Sequence, residues 1–347
     1  MNTPITRRHL LHSAALLAAA TTLGAPRAAS LAGVLGKAAH ADEDYFEWAL
    51  PQPGLFVATG GGGNSTLFTR GDGAVLIDCK NAPYGESLYR EAMRRCKRLA
   101  AVINTHHHGD HTGGNHALTA HAPIIAHDNC TPRVLAQMNR YLSQTKEAAM
   151  QLKEGDSAAI QQVRKEALAL YARATTLKVT DFAPKTTFAK EHKLEASEAG
   201  TELILRYEGV GHTDNDITVH SPELNVLVVG DLLFHKIHPF IDAASGASTV
   251  QWQQRLREAI ARCDADTIVV PGHGTLTDRA GLEQLWRYFE QAREAVSGAI
   301  KAGKTRMEVA QLSLENVTNF AGKERAGTGL QAIYDELRPA AAPTAGN

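Results

Sequence analysis

Ala101-Val102-Ile103-Asn104-Thr105-His106-His107-His108-Gly109-Asp110-His111 runs from a short apolar segment straight into four histidines and an aspartate. The apolar part, Ala101–Asn104, reads as a buried strand. On an extended segment residues i and i+2 point the same way. His106 and His108 can therefore bind one metal ion while His107 points elsewhere. Gly109 lets the chain turn, aiming Asp110 and His111 at a second ion nearby. Imidazole nitrogen with occasional carboxylate oxygen suits zinc.

The same event recurs three times downstream. Gly211-His212 follows the strand-like Thr201–Tyr207, Gly230-Asp231 follows Asn225–Val229, and Pro271-Gly272-His273-Gly274 follows Thr267–Val270. Loops at the carboxyl ends of strands are where α/β proteins build their sites. Convergence of the four would pool five histidines and two aspartates, with Asp231 free to bridge two ions. Two zinc ions, two aspartates and a hydroxide leave net positive charge, enough to hold a substrate carboxylate and stabilise an oxyanion.

Residues 104–115, Asn-Thr-His-His-His-Gly-Asp-His-Thr-Gly-Gly-Asn, contain the H-x-H-x-D-H motif of the metallo-β-lactamase superfamily. His212 in Gly-Val-Gly-His-Thr-Asp-Asn-Asp, Asp231 in Val-Gly-Asp-Leu-Leu-Phe and His273 in Val-Pro-Gly-His-Gly follow in family order. The chain from Leu55 to about His273 thus resembles that superfamily. The resemblance implies an α/β fold, an αββα sandwich of two mixed sheets with helices outside. It also implies two Zn²⁺ per chain, the first held by His106, His108 and His212, the second by Asp110, His111 and His273, with Asp231 bridging. The best-known β-lactamases of this fold carry Cys or Ser where Asp231 stands; aspartate there is more similar to glyoxalase II and lactonase-type hydrolases. The segment after His273 lacks the glutathione-binding pattern of glyoxalase II, and His108 stands where flavodiiron proteins have glutamate.

The chemistry expected from these residues is hydrolysis of an activated acyl bond (lactone, ester, thioester or β-lactam) by water that zinc activates. Asp110 is the candidate catalytic residue, orienting the nucleophile and shuttling its proton. No G-x-S-x-G nucleophile motif is present. Two other functions use the same ligands: a mononuclear iron oxygenase of the persulfide dioxygenase kind, and a non-catalytic periplasmic zinc-binding accessory protein. Asn64, after the glycine run Gly60–Gly63, and His235 and His238, just beyond Asp231, are candidate substrate contacts. His107, His116, His121 and His127 read as structural or surface residues.

The remaining chain alternates strands and helices, as α/β layers require. Strands are expected at Leu55–Thr59, Ser65–Thr69, Ala74–Asp78 and Ile217–His220, and helices over 84–99, 249–262, 279–300, 305–314 and 327–338. A helical hairpin over 133–175 and the C-terminal helices fall where the superfamily varies. The hydrolase domain is expected to occupy 42–338, with a disordered tail at 339–347.

Charge and the N-terminus concern destination rather than chemistry. The 347 residues carry 36 basic and 37 acidic side chains, a net charge of −1 that gives no reason to expect nucleic acid as a partner. Only Arg7, Arg8, Arg27 and Lys37 are charged before Asp42, so the acidic excess lies in residues 42–347. Arg7-Arg8, the apolar run to Leu23 and Ala39-His40-Ala41 form a basic region, a hydrophobic stretch and a small-residue cleavage site. This resembles a twin-arginine export signal, removed near Ala41, with the periplasm as destination and the export machinery as partner. Leu10–Leu23 is shorter than the ~20 residues that span a bilayer, so no stable anchor is expected. A small-molecule substrate is the other expected partner. Oligomeric state and the pairing of Cys79, Cys96, Cys130 and Cys263 are left open by the sequence.

Overall fold

Strand after strand in this chain is apolar on both faces. In Gly73–Ile77, Ala74, Val75, Leu76 and Ile77 are all fully buried, a pattern that requires a layer above and a layer below. The computed structural model describes residues 36–37, 44–137, 157–174, 176–196, 200–315 and 317–338. The expected export signal (apart from 36–37), the tail at 339–347 and residues 138–156 of the expected hairpin lie outside them.

Among the described residues the strands form two sheets. The first has β1 (Gly36–Lys37), β2 (Glu47–Gln52), β3 (Leu55–Thr59), β4 (Ser65–Arg70), β5 (Gly73–Ile77), β6 (Arg98–Ile103), β7 (Ile124–His127) and β8 (Thr186–Phe188), in that order. It is antiparallel to β5 and parallel from there on. The second has β9 (Glu191–Leu194), β10 (Leu203–Tyr207), β11 (Ile217–Ser221), β12 (Val226–Phe234) and β13 (Ile268–His273), with β13 at one edge beside β12. β12 and β13 are parallel.

Helices supply the crossovers that parallel pairing demands. Helix α1 (Gly85–Met93) joins β5 to β6, and α3 (Thr249–Ala261) joins β12 to β13. Ala74 and Leu76 of β5 pack with Leu88 and Ala92 of α1. Leu227, Val229 and Val269 pack with Trp252 and Leu256 of α3 and with Leu285 and Phe289 of α4 (Arg279–Lys301). The alternate residues Val75, Ile77, Val228 and Val270 are equally buried on the opposite faces, which the two sheets turn toward each other. The result is the expected αββα sandwich. Helix α2 (Ala158–Arg173) precedes β8, and α5 (Lys323–Leu337) packs its Leu330 and Ile333 into the core beside α4.

Several boundaries differ from expectation. The helix expected over 84–99 ends at Met93, because Arg98–Ile103 is claimed by β6. β12 continues through Asp231 to Phe234 and β13 includes His273, so these two residues lie within strands instead of after them. The helix expected at 305–314 is one turn, Arg306–Val309, and α5 starts at Lys323 instead of 327. All four cysteines are free thiols. Among the described residues no helix is long and apolar enough to cross a membrane.

Candidate metal centre

Four segments deliver the candidate ligands to one place. His106 and His108 follow β6, and Asp110 and His111 sit on the one-turn helix Gly109–Thr112. His212 lies between β10 and β11, while β12 and β13 carry Asp231 and His273. Backbone hydrogen bonds hold these segments in register: Ile217 N donates to Thr105 O at 2.8 Å and Asn64 N to Gly272 O at 2.7 Å. Gly272 is glycine for a visible reason. A Cβ there would stand 1.9 Å from Asp231 Oδ1.

The donor atoms converge in two groups. His106 Nε2 and His212 Nε2 lie 3.1 and 3.0 Å from His108 Nδ1. Asp231 Oδ2 completes this group at 3.4 Å from His212 Nε2 and 3.7 Å from His106 Nε2. Asp110, His111 and His273 form the second group, with His273 Nε2 at 3.0 Å from Asp110 Oδ2. Asp231 faces this group as well, its Oδ1 3.1 Å from His111 Nε2 and its Oδ2 3.4 Å from His273 Nε2. Four donors about 2 Å from a zinc ion sit roughly 3.4 Å apart in a tetrahedron. The spacing within each group fits that.

The far nitrogens of these rings are held too. His108 Nε2 meets Asp242 Oδ2 at 2.8 Å, His111 Nδ1 meets Asp78 Oδ2 at 2.8 Å, and His212 Nδ1 meets Phe240 O at 3.0 Å. His106 Nδ1 meets Thr105 Oγ1 at 3.1 Å, and that hydroxyl donates to Asp78. Such outer contacts fix the tautomer and aim the free nitrogen at a metal. His107 points away, as the extended geometry predicts, toward Asn215 and Ser245.

Electrostatics separates the two groups. Burial, reinforced by the neighbouring histidines, holds His106 well below the usual histidine range and His212 down at about 3, so both keep a free lone pair. Burial also opposes protonation of His111 and His273, but there the carboxylates win. Asp231 and Asp78 push His111 well up, and Asp231 with Asp110 pushes His273 up to about 9. Burial would raise the carboxyl groups of Asp110 and Asp231, yet the facing His111 and His273 hold both below the usual range. The aspartates thus demand nearby positive charge, which divalent cations supply while releasing the imidazole protons. A further sign of fit is that His111 Nε2 and Asp231 Oδ1, both buried, face each other at 3.1 Å without forming an aligned hydrogen bond and have no other partner among the described residues. The donor set suits two divalent ions.

A cleft of about 560 Å³ opens onto this cluster, lined by His108, Asp110, Asp231 and His273 and walled by Phe234 and Phe240. The three expected substrate contacts are not brought into it. Asn64 is buried, and its Nδ2 donates to Pro271 O and Gly274 O, clamping the turn that carries His273. His235 faces a separate cavity of about 550 Å³ with Lys236 and Thr277, its Nδ1 at Thr275. His238 is buried against Tyr288 and Phe320. Histidines that follow a ligand in sequence leave the site because β12 ends at Phe234 and the chain turns away. Conversely, Asp78 and Asp242 belong to the site although the sequence reading does not single them out. Asp78 directly follows the buried apolar run of β5, so its signal is present; Asp242 follows Phe240 in a segment without a motif.

Comparison with known proteins agrees with this geometry. The model of the family described as the metallo-beta-lactamase superfamily matches residues 58–273. A type 2 metallo-beta-lactamase of Bacillus cereus is 24% identical over 237 residues, 67% of this chain and 75% of that protein. Its counterpart from Bacillus sp. (strain 170) is 23% identical over 237 residues, 67% of this chain and 74% of that one. Among solved structures, DIM-1 metallo-beta-lactamase superposes with a TM-score of 0.51 at 20% identity, over 71% of this chain and 98% of the other. The stereoselective inverting sec-alkylsulfatase of Pseudomonas sp. gives 0.59 at 15% identity, over 85% of this chain and 50% of that one. At such identities the structural likeness is one of fold.

Proposed function

Because this chain belongs to the metallo-beta-lactamase superfamily, we propose that it is a di-zinc hydrolase cleaving an activated acyl bond of a small molecule. The observation that carries the reading is that Asp231 belongs to one donor group and also lies 3.1 Å from His111 and 3.4 Å from His273 of the other, on the floor of one cleft. His106, His108 and His212 would hold one ion and Asp110, His111 and His273 the other, with Asp231 between them. Zinc in such a site lowers the pKa of water toward about 7 and polarises an acyl oxygen.

The protein's own groups do the rest. Asp110 Oδ2 lies beside His273 and remains partly open to the cleft, where it accepts the proton of the attacking water and returns it to the leaving group. Asp242 and Asp78 keep His108 and His111 oriented throughout. Phe234 and Phe240 give the cleft apolar walls against which the hydrocarbon part of a substrate can pack. Among the described residues no serine or cysteine lines the cleft, which supports water as the nucleophile.

Turnover should be measured on a β-lactam, a lactone, a thioester, an aryl ester and a phosphodiester with the zinc-loaded protein. The proposal expects hydrolysis of at least one carbonyl substrate, and loss of it in Asp110→Ala. Tight zinc binding with no turnover on the carbonyl compounds would replace the enzyme reading with that of an accessory protein. We also propose that residues 1–41 direct twin-arginine export to the periplasm and are then removed, a reading supported by the arginine pair and the Ala39-His40-Ala41 site.

A further inference from the structure

We propose that Arg325 selects the substrate, so that the cleft takes acyl compounds carrying an anionic oxygen group, which the Arg325 guanidinium holds while the acyl bond lies over the metal cluster. This rests on the hydrolase reading above and names the substrate class for it.

The family match ends at His273, yet the cleft does not. Arg325 and Thr328, from the start of α5, line the same cleft as His108, Asp110, Asp231 and His273. The start of α5 is fixed to the segment that follows Asp231. Ala321 N donates to Lys236 O at 3.0 Å, and His238 N donates to Ala321 O at 2.9 Å. Gly322 then turns the chain at φ 71°, a left-handed conformation that glycine adopts without strain, with Ile237 close by. Leu330 and Ile333 anchor the next two turns in the core. Arg325 is therefore held on a rigid support at the edge of the cleft.

Its charge is only loosely paired. Arg133, Arg293 and Arg306 each donate to a carboxylate at 2.9 Å or less. Among the described residues Arg325 pairs with its chain neighbour Glu324, at 3.8 Å and with both side chains exposed, a weak contact that a better-placed anion can displace. The acids of the cleft are engaged elsewhere: Asp242 with His108, Asp110 with His273, and Asp231 with both histidine groups. A guanidinium fork pairs bidentately with carboxylate-like oxygens, and partial shielding by a cleft wall strengthens the pairing. Phe240 adds apolar surface beside it, and about 560 Å³ is the size of a small-molecule pocket.

The test compares two aryl esters differing only in charge, the 4-nitrophenyl monoester of glutaric acid and its neutral methyl ester, on the zinc-loaded protein. Wild type should prefer the acid. Arg325→Ala should lose about 10- to 100-fold in kcat/KM on the acid, mainly through KM, and stay within about twofold on the methyl ester, with Arg325→Lys recovering part of the loss. Equal losses on both esters, or none on the acid, would overturn the assignment. If neither ester is hydrolysed, the hydrolase reading fails separately, and calorimetry with glutaric acid monoanilide and its methyl ester decides for Arg325. Tighter binding of the acid that disappears in Arg325→Ala upholds it; equal binding of acid and ester overturns it.

Discussion

Asp78 uses both carboxylate oxygens, one on Thr105 N and the other on Thr105 Oγ1 and His111 Nδ1, from a left-handed backbone at φ 64°. It thus orients two candidate ligand histidines, His111 directly and His106 through the Thr105 hydroxyl. Gly272 acts by being small. Adding a methyl group there forces Asp231 aside, and Asp231 is the residue that faces both donor groups. Gly272→Ala, whose Cβ would also stand 2.7 Å from the Gly230 carbonyl carbon and 2.8 Å from Asp231 N, should therefore have a lowered thermal transition, bind less metal and lose most of its activity. Elemental analysis of the purified variant checks this, and a full metal complement would contradict the role given to Asp231. The H-x-H-x-D-H residues were legible in sequence because metal chemistry constrains both type and spacing. Asn64, His235 and His238 were not, because proximity in sequence says nothing about the direction a chain takes after its strand ends.

The loop between β3 and β4 depends on a buried lysine. Lys80 Nζ donates to Ala58 O and Gly63 O, each at 2.7 Å, with no exposure to solvent. Burial pulls its pKa down to about 7, against the opposing pull of Asp78, whereas a lysine in the unfolded chain titrates near 10.4. Between those values the unfolded chain binds more protons, so this residue's contribution to stability rises with pH. Urea unfolding of wild type and Lys80→Met at pH 7, 8 and 9 should show wild type gaining on the variant as pH rises. Parallel pH dependences would contradict it. The variant should also be less stable at pH 7, by about 1–3 kcal/mol for each carbonyl left unpaired.

Elements with a strong apolar pattern, such as β5, β12 and α4, are readable from sequence. The short or polar ones are not: β7 has four residues, and β8 and β9 are held by pairing with β7 and β10 more than by their own composition. One pattern misleads in the other direction. Gly298-Ala-Ile-Lys-Ala-Gly303-Lys304-Thr305 has the spacing of a phosphate-binding loop. It spans the C-terminal end of α4, where carbonyls and not amides are free, and Thr305 caps the next turn with Glu308.

At the scale of the molecule, strand ends of both sheets meet at one floor, and α5, from beyond the family match, adds a wall. The architecture was visible in the order of the motifs; the wall was not, because nothing in a helix sequence says which cleft it will border. If the proposed export signal acts as such, replacing Arg7-Arg8 by Lys-Lys should leave full-length chain in the cytoplasm, while wild type recovered from the periplasm should begin near Asp42 on N-terminal sequencing. A periplasmic double-lysine chain with the same N-terminus would contradict that. If two donor groups hold two ions with Asp231 between them, each group should be separately removable. Elemental analysis of wild type, His212→Ala and His273→Ala should find about two zinc per wild-type chain and about one in each variant. A single iron per wild-type chain, or a zinc content that neither substitution changes, would contradict it.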